Sequence, residues 1–316
     1  MSQTLLSIEH LRVVFGRLVA VDDLSLDLAG GDLLGLIGPN GAGKTTTLRA
    51  AAGLQPVTTG RVRLLGEDVF RHAEQVNHHL GFTPDTPGLY PSLTVEQFLQ
   101  FIGRCYGLTQ PTVRERIDHW LERLWLADKK HERIRGLSRG MRQRLAVART
   151  LLPDPHVILM DEPAAGLDPA GRIEFRQLLA SLRDQGKAII VSSHILADLA
   201  EYCTHIAIMG HGRLLRCGTV AEVAGSASGL RCIYHVRLAE RIGDLAKRLE
   251  ALRRDEGLSR LDFDGDRITL EYDSDQQAAA RLLRELIAAG LPVAEFRALE
   301  PDLEQAYLRT GIRQVD

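Results

Sequence analysis

Residues 38–46 read Gly-Pro-Asn-Gly-Ala-Gly-Lys-Thr-Thr. Gly38, Gly43, Lys44 and Thr45 fit the spacing of a loop that cradles phosphates, provided a strand precedes it and a helix follows. The apolar run Leu33–Ile37 supplies the strand, and the stretch from Thr45 to Ala52 reads as the helix. A chain passing from Gly38 through Pro39, Asn40, Gly41 and Ala42 to Gly43 can turn tightly enough to aim backbone N–H groups at phosphate oxygens. The helix start at Thr45 and Thr46 adds the favourable end of its dipole. Lys44 is expected to reach the β- and γ-phosphates of a nucleoside triphosphate, and the Thr45 hydroxyl to ligate Mg²⁺.

A second chemical signal lies further on. Val157-Ile-Leu-Met160 runs directly into Asp161-Glu162-Pro163. A carboxylate at the end of a buried strand suits a magnesium site beside a phosphate loop, which assigns Asp161. Glu162, the next residue, would face the γ-phosphate side as a base that orients water. An acidic turn at a strand end is common on its own. Its pairing with the phosphate loop is what favours chemistry.

These residues need a scaffold. Leu33–Ile37, Val157–Met160, Ala188–Val191 and His205–Met209 are apolar runs with little alternation, as in a parallel sheet covered on both faces. Helical patterns at Thr45–Ala52 and Gly171–Gln185 make the layout α/β. Residues 92–151 differ, with helical stretches Thr94–Tyr106, Pro111–Trp125 and Met141–Leu151, and Thr94 with Gln97 offers a capping box. This block reads as a helical insertion, with Trp120 and Trp125 expected in its core. Residues 223–229 contain Gly225-Ser-Ala-Ser-Gly229, a linker composition. Beyond it, Arg231–Leu238, Arg241–Arg254, Leu258–Phe263, Arg267–Tyr272, Gln276–Ala289 and Val293–Leu299 follow the order βαββαβ, with a hairpin turn at Asp264-Gly265, and a last helix is expected at Pro301–Arg309. That order suggests a small α+β unit of ferredoxin-like type over 230–316.

From residue 5 to about 222 the sequence resembles the nucleotide-binding subunits of ABC transporters. Leu137-Ser-Arg-Gly-Met141, followed by Arg142-Gln-Arg-Leu-Ala-Val-Ala-Arg149, is similar to the family signature, usually Leu-Ser-Gly-Gly-Gln. The resemblance implies that Ser138, Gly140 and Met141 meet ATP held by the opposite subunit of a homodimer. Arg139 and Met141 depart from the usual pattern in a way similar to exporters of the drug-resistance and polysaccharide type. Gly166-Leu-Asp-Pro169 resembles the family's D-loop, which implies Asp168 at the dimer interface. His194, after Ala188–Val191, resembles the switch histidine that contacts the γ-phosphate. Phe15 lies where the family stacks an aromatic ring on adenine. Asp85 stands where the family normally has Gln, and so inherits a role near magnesium and attacking water. Residues Asp85 to Glu96 resemble the docking region for an integral-membrane permease. The tail Pro301–Leu308 is similar to the ending of drug and antibiotic exporters. The implied fold is an ABC-type P-loop cassette over 1–222, with ATP and Mg²⁺ as ligands and a place at the cytoplasmic face of the membrane.

Composition narrows the alternatives. The formal net charge is −2, with 25% charged and 45% apolar residues. Nothing in that balance suggests a nucleic-acid partner. The four cysteines (Cys105, Cys203, Cys217 and Cys232) lack metal-ligand spacing and read as buried, reduced thiols. The apolar runs are far short of the roughly 20 residues of a spanning helix, so another chain would supply the membrane spans. No Asn-Lys-x-Asp guanine motif is present. The rival reading is a soluble ABC-type ATPase acting on a cytosolic complex such as the ribosome, and the single phosphate loop weighs against it.

Overall fold

The chain opens β1 (Thr4–Phe15), β2 (Leu18–Ala29), β3 (Leu33–Ile37), α1 (Lys44–Ala51), β4 (Thr59–Leu64), β5 (Glu67–Asp68), α2 (Ala73–Val76) and β6 (Leu80–Thr83). Three helices follow, α3 (Val95–Cys105), α4 (Gln110–Arg123) and α5 (Arg139–Leu151). Alternation resumes with β7 (Val157–Met160), α6 (Pro169–Asp184), β8 (Ala188–Ser193), β9 (His205–Gly210) and β10 (Arg213–Thr219). This computed structural model describes residues 3–194, 199, 201–225, 231–250, 257–273 and 276–299. They divide between Gly218 and Thr219 into two compact units.

The central sheet has the order β10-β9-β3-β8-β7-β6. Its pairs β3–β8, β3–β9, β7–β8 and β6–β7 are all parallel. All five residues of β3 and all four of β7 are buried, as their unbroken apolar sequences require. Parallel pairing sends the carboxyl ends of β3, β6, β7 and β8 to one edge. In open α/β sheets that edge is where ligands bind. The phosphate loop, Asp85, Asp161 and His194 all follow those four ends.

A second sheet, β2-β1-β4-β5, is antiparallel. The sequence reading did not anticipate its two long strands. Their alternation is broken by register shifts, as between Ile8 and Leu11. Positive φ at His10 (48°) and Asp23 (57°) marks the same irregularity.

In the helical block, Thr94 and Gln97 form the expected capping box on α3. Trp120 is buried. Trp125 departs from expectation: it is 45% exposed, and the Arg144 guanidinium lies 5.3 Å from its ring centroid. The apolar ring is shielded by a cation instead of a core. The cysteines also divide, with Cys203 buried and Cys105 and Cys217 exposed.

The second unit contains α7 (Val220–Gly225), β11 (Arg231–Leu238), α8 (Leu245–Arg248), β12 (Arg260–Asp264), β13 (Arg267–Asp273), α9 (Gln276–Ala288) and β14 (Val293–Leu299). Its antiparallel sheet runs β12-β13-β11-β14, with a core that includes Tyr234, Val236, Leu270 and Leu286. The helix expected over Arg241–Arg254 is confined to Leu245–Arg248 among the described residues. Gly225 of the expected linker ends α7 instead. Residues 226–230 and the tail Pro301–Arg309 lie outside the described residues.

Candidate functional site

The phosphate loop leaves β3 at Gly38 and enters α1 at Lys44. A Cβ on Gly38 would lie 2.5 Å from the Met209 carbonyl oxygen of β9. Gly43 has φ 103°, and a Cβ there would lie 2.5 Å from the Ala20 carbonyl. Both positions therefore exclude any side chain, Gly43 by conformation as well. Lys44 is only 6% exposed. Its Nζ donates to the Gly38 carbonyl at 2.6 Å and to Pro39 O at 3.3 Å, and sits 4.0 Å from Glu162 Oε1. Burial pulls the Lys44 pKa below the ordinary lysine range, and the nearby Glu162 and Asp161 carboxylates oppose that. Asn40, Gly41 and Thr45 are exposed, Ala42 is buried, and Pro39 and Thr46 are half-buried. Phe15, at the end of β1, leaves its ring 45% exposed.

The two acids after β7 occupy different surroundings. Asp161 is 1% exposed, and its Oδ1 accepts the Ser192 hydroxyl at 2.6 Å. Its backbone N–H donates to the Thr83 carbonyl of β6 at 2.8 Å. Glu162 has φ 47°, a left-handed conformation that costs an ordinary residue about 1–2 kcal/mol. That turn aims its carboxylate back over the sheet edge. Oε2 lies 3.0 Å from His194 Nδ1, and the Glu162 N–H donates to the Ser192 hydroxyl at 3.0 Å. Burial raises the Glu162 pKa, with His194 and Lys44 pulling it back down. The His194 side chain is 57% exposed. Lys44, Asp161, Glu162 and His194 thus form one cluster over three strand ends. Ser192 ties it together and was missed in the sequence; its only signal there is its place two residues before His194.

The remaining residues lie elsewhere in the first unit. Ser138 caps α5, its Oγ accepting the Met141 N–H at 3.2 Å. Gly140 packs so closely that a Cβ would lie 3.1 Å from Gly166 O, and the Arg139 side chain lies along Gly166. Asp168 caps α6 by accepting the Gly171 N–H at 3.1 Å. The signature-like segment and the segment around Asp168 are therefore neighbours. No hydrogen bond or ion pair among the described residues joins Ser138, Gly140, Met141 or Asp168 to the Lys44 cluster. Asp85 is exposed on the loop after β6.

Chemically, the cluster offers a fixed cation, a buried carboxylate, a second carboxylate with a histidine partner, and a loop shaped for phosphates. Asp161 and Thr45 are the hard oxygen donors available for a divalent cation. Among the described residues no group of three or more His, Cys, Asp or Glu side chains is placed to hold a metal. Mg²⁺ bound with nucleotide needs no such cage, because phosphates and water complete its shell.

Comparison with known proteins agrees with this arrangement. Residues 21–165 match the family model described as ABC transporter. The Nod factor export ATP-binding protein I of Ralstonia nicotianae is 33% identical across 99% of this chain and 96% of its own length. The linearmycin resistance ATP-binding protein LnrL of Bacillus subtilis is 28% identical over 96% of this chain and 97% of its own. A solved ATP-binding subunit of an ABC transporter superposes with a TM-score of 0.67 at 28% identity, covering 72% of this chain and 94% of that one. A full-length relative above 30% identity, joined to a phosphate loop and acid pair on the expected fold, settles the family: the chain belongs to the ATP-binding, ATP-hydrolysing subunits of ABC transporters.

Proposed function

We propose that this chain is the motor of an exporter, working at the cytoplasmic face of a membrane and energising a separate permease. The observation that carries this reading is the convergence of Lys44, Asp161, Glu162 and His194 at the carboxyl edge of the parallel sheet. The names of the relatives, Nod factor export and linearmycin resistance, favour outward transport. Nothing among them favours the ribosome reading. No described helix is long and apolar enough to cross a membrane.

In this reading the Gly38–Thr46 loop holds the phosphates and Lys44 releases its loop carbonyls to grip the β- and γ-oxygens. Phe15 offers an exposed ring for adenine. Thr45 and Asp161 hold Mg²⁺, which supplies neutralising charge to the phosphates. Glu162, ionised and steadied by His194, orients the attacking water. Asp85, exposed on the loop after β6, contributes through water. Ser138, Gly140, Met141 and Asp168 complete the site across a head-to-tail homodimer, so ATP closes the pair and hydrolysis opens it. The cassette is assigned to 1–222 and the accessory domain to 230–316.

Two measurements test this. Glu162→Gln keeps the backbone and removes the base; turnover should fall about 10²–10⁴-fold while ATP binding survives. Hydrolysis at the wild-type rate would remove Glu162 from that role. Tagged chain extracted from host membranes in mild detergent should bring down a polytopic membrane protein in stoichiometric amount. Recovery with soluble complexes alone would overturn the transporter assignment.

A further inference from the structure

His79 and His156 stand immediately before β6 and β7, at the amino edge of the parallel sheet. Lys44, Asp161 and Glu162 occupy the opposite edge. Backbone bonds fix both histidines. The His156 and Val157 N–H groups donate to the His79 carbonyl at 2.9 Å each, and the His156 carbonyl accepts the Ala188 N–H at 3.0 Å. Sheet pairing thus brings together two imidazoles that lie 77 residues apart in the chain. His79 is half-buried and His156 exposed, so solvent reaches the pair.

The two Nδ1 atoms are 3.1 Å apart, with ring centres at 4.9 Å and planes inclined by 66°. With each ring centre about 1.15 Å behind its nitrogen, a straight N–H···N bond of that length would hold the centres about 5.4 Å apart. The contact is therefore bent, as it is when both nitrogens turn toward one point beside the line joining them. Two imidazoles bound to one zinc-type cation at about 2.0–2.1 Å, with nitrogens 3.1 Å apart, would set their centres about 4.8 Å apart. A regular tetrahedral site spaces two such nitrogens about 3.3 Å apart. The observed geometry fits a shared cation better than a straight hydrogen bond.

The surroundings agree. Neutral imidazole is the commonest metal ligand in proteins. Burial, with His156 and His78 nearby, holds the His79 pKa below the ordinary histidine range, which favours that neutral form. Asp154 brings a carboxylate into electrostatic reach of His156, although Lys187 also claims it at 2.5 Å. The exposed side of the pair leaves room for water in the remaining positions of a metal shell.

We infer that His79 and His156 form a site for a divalent transition cation of the zinc class, bound through both Nδ1 atoms with water completing its shell. It differs from the magnesium position proposed at Thr45 and Asp161 in its nitrogen donors and in lying at the other end of β7. A cation there would clip β6 to β7 at their amino ends.

The test titrates Zn²⁺ by calorimetry into the full-length chain, free of nucleotide and carrying no histidine tag. Cys105→Ser and Cys217→Ser remove the exposed thiols, which would compete for the metal. A saturable site of one ion per chain is expected. His79→Asn and His156→Asn should each weaken it about 10-fold or more. Undiminished binding in either of these two variants, or no saturable binding without them, overturns the inference. Should a variant not fold, the unsubstituted chain decides. Zn²⁺ should shield His79 and His156 from diethyl pyrocarbonate, read by peptide mass mapping, and equal modification with and without Zn²⁺ overturns the inference.

Discussion

At the scale of single residues, the site works by setting neighbours against one another. Asp161 and Glu162 are adjacent in sequence, yet one is fully buried on a hydroxyl and the other turns back to meet a histidine. Burial raises the Glu162 pKa, and in the role of base proposed for it Glu162 must be ionised to act. Lowering the pH therefore protonates Glu162 earlier than an ordinary glutamate. The ATPase rate should lose activity on an acid limb lying above the usual carboxylate range. A rate–pH profile measured at saturating MgATP checks this, and a flat profile down to the ordinary range would contradict it. Gly43→Ala makes a second residue-level case. The loop would have to accommodate a Cβ 2.5 Å from the Ala20 carbonyl at a φ of 103°. Loss of nucleotide binding in a fluorescent-nucleotide titration, together with a lowered melting temperature, is the expected result.

At the scale of elements, what was legible in the sequence followed the strength of local pattern. β3 and β7 were clear because unbroken apolar runs flanked by a glycine loop or an acid pair have few other readings. The capping box of α3 was clear because Thr94 and Gln97 satisfy each other locally. β1 and β2 were not, because their bulges at His10 and Asp23 break the alternation that marks a strand. Trp125 was misplaced because its partner, Arg144, comes from another helix. The phosphate loop, acid pair and His194 were found from motif and order. Ser192 was not, since a hydroxyl between two acids is a product of β7–β8 pairing rather than of spacing. The packing of β3 has its own test. Leu36 is 1% exposed beneath the phosphate loop. Leu36→Ala should cost about 2–5 kcal/mol in urea unfolding. A change below 1 kcal/mol would mean that the strand is less tightly packed than its burial indicates.

At the scale of the whole molecule, two units each carry a hydrophobic core of their own. The residues proposed for the nucleotide site all belong to the first. A chain ending after Gly225 should therefore fold, bind ATP with unchanged affinity, and melt in one transition. The intact chain should show a further transition in calorimetry. A truncated chain that aggregates or loses nucleotide would mean that the second unit completes the first.

One hydroxyl has only one proton to give. Ser192 gives it to Asp161 and offers a lone pair to the Glu162 N–H. Whatever changes at Asp161, such as a cation arriving or a proton taken up, is therefore registered at the backbone of Glu162 through a single oxygen. If Asp161 and Glu162 hold the roles proposed for them, readiness of the base is tied to the occupancy of its neighbour through that shared hydroxyl.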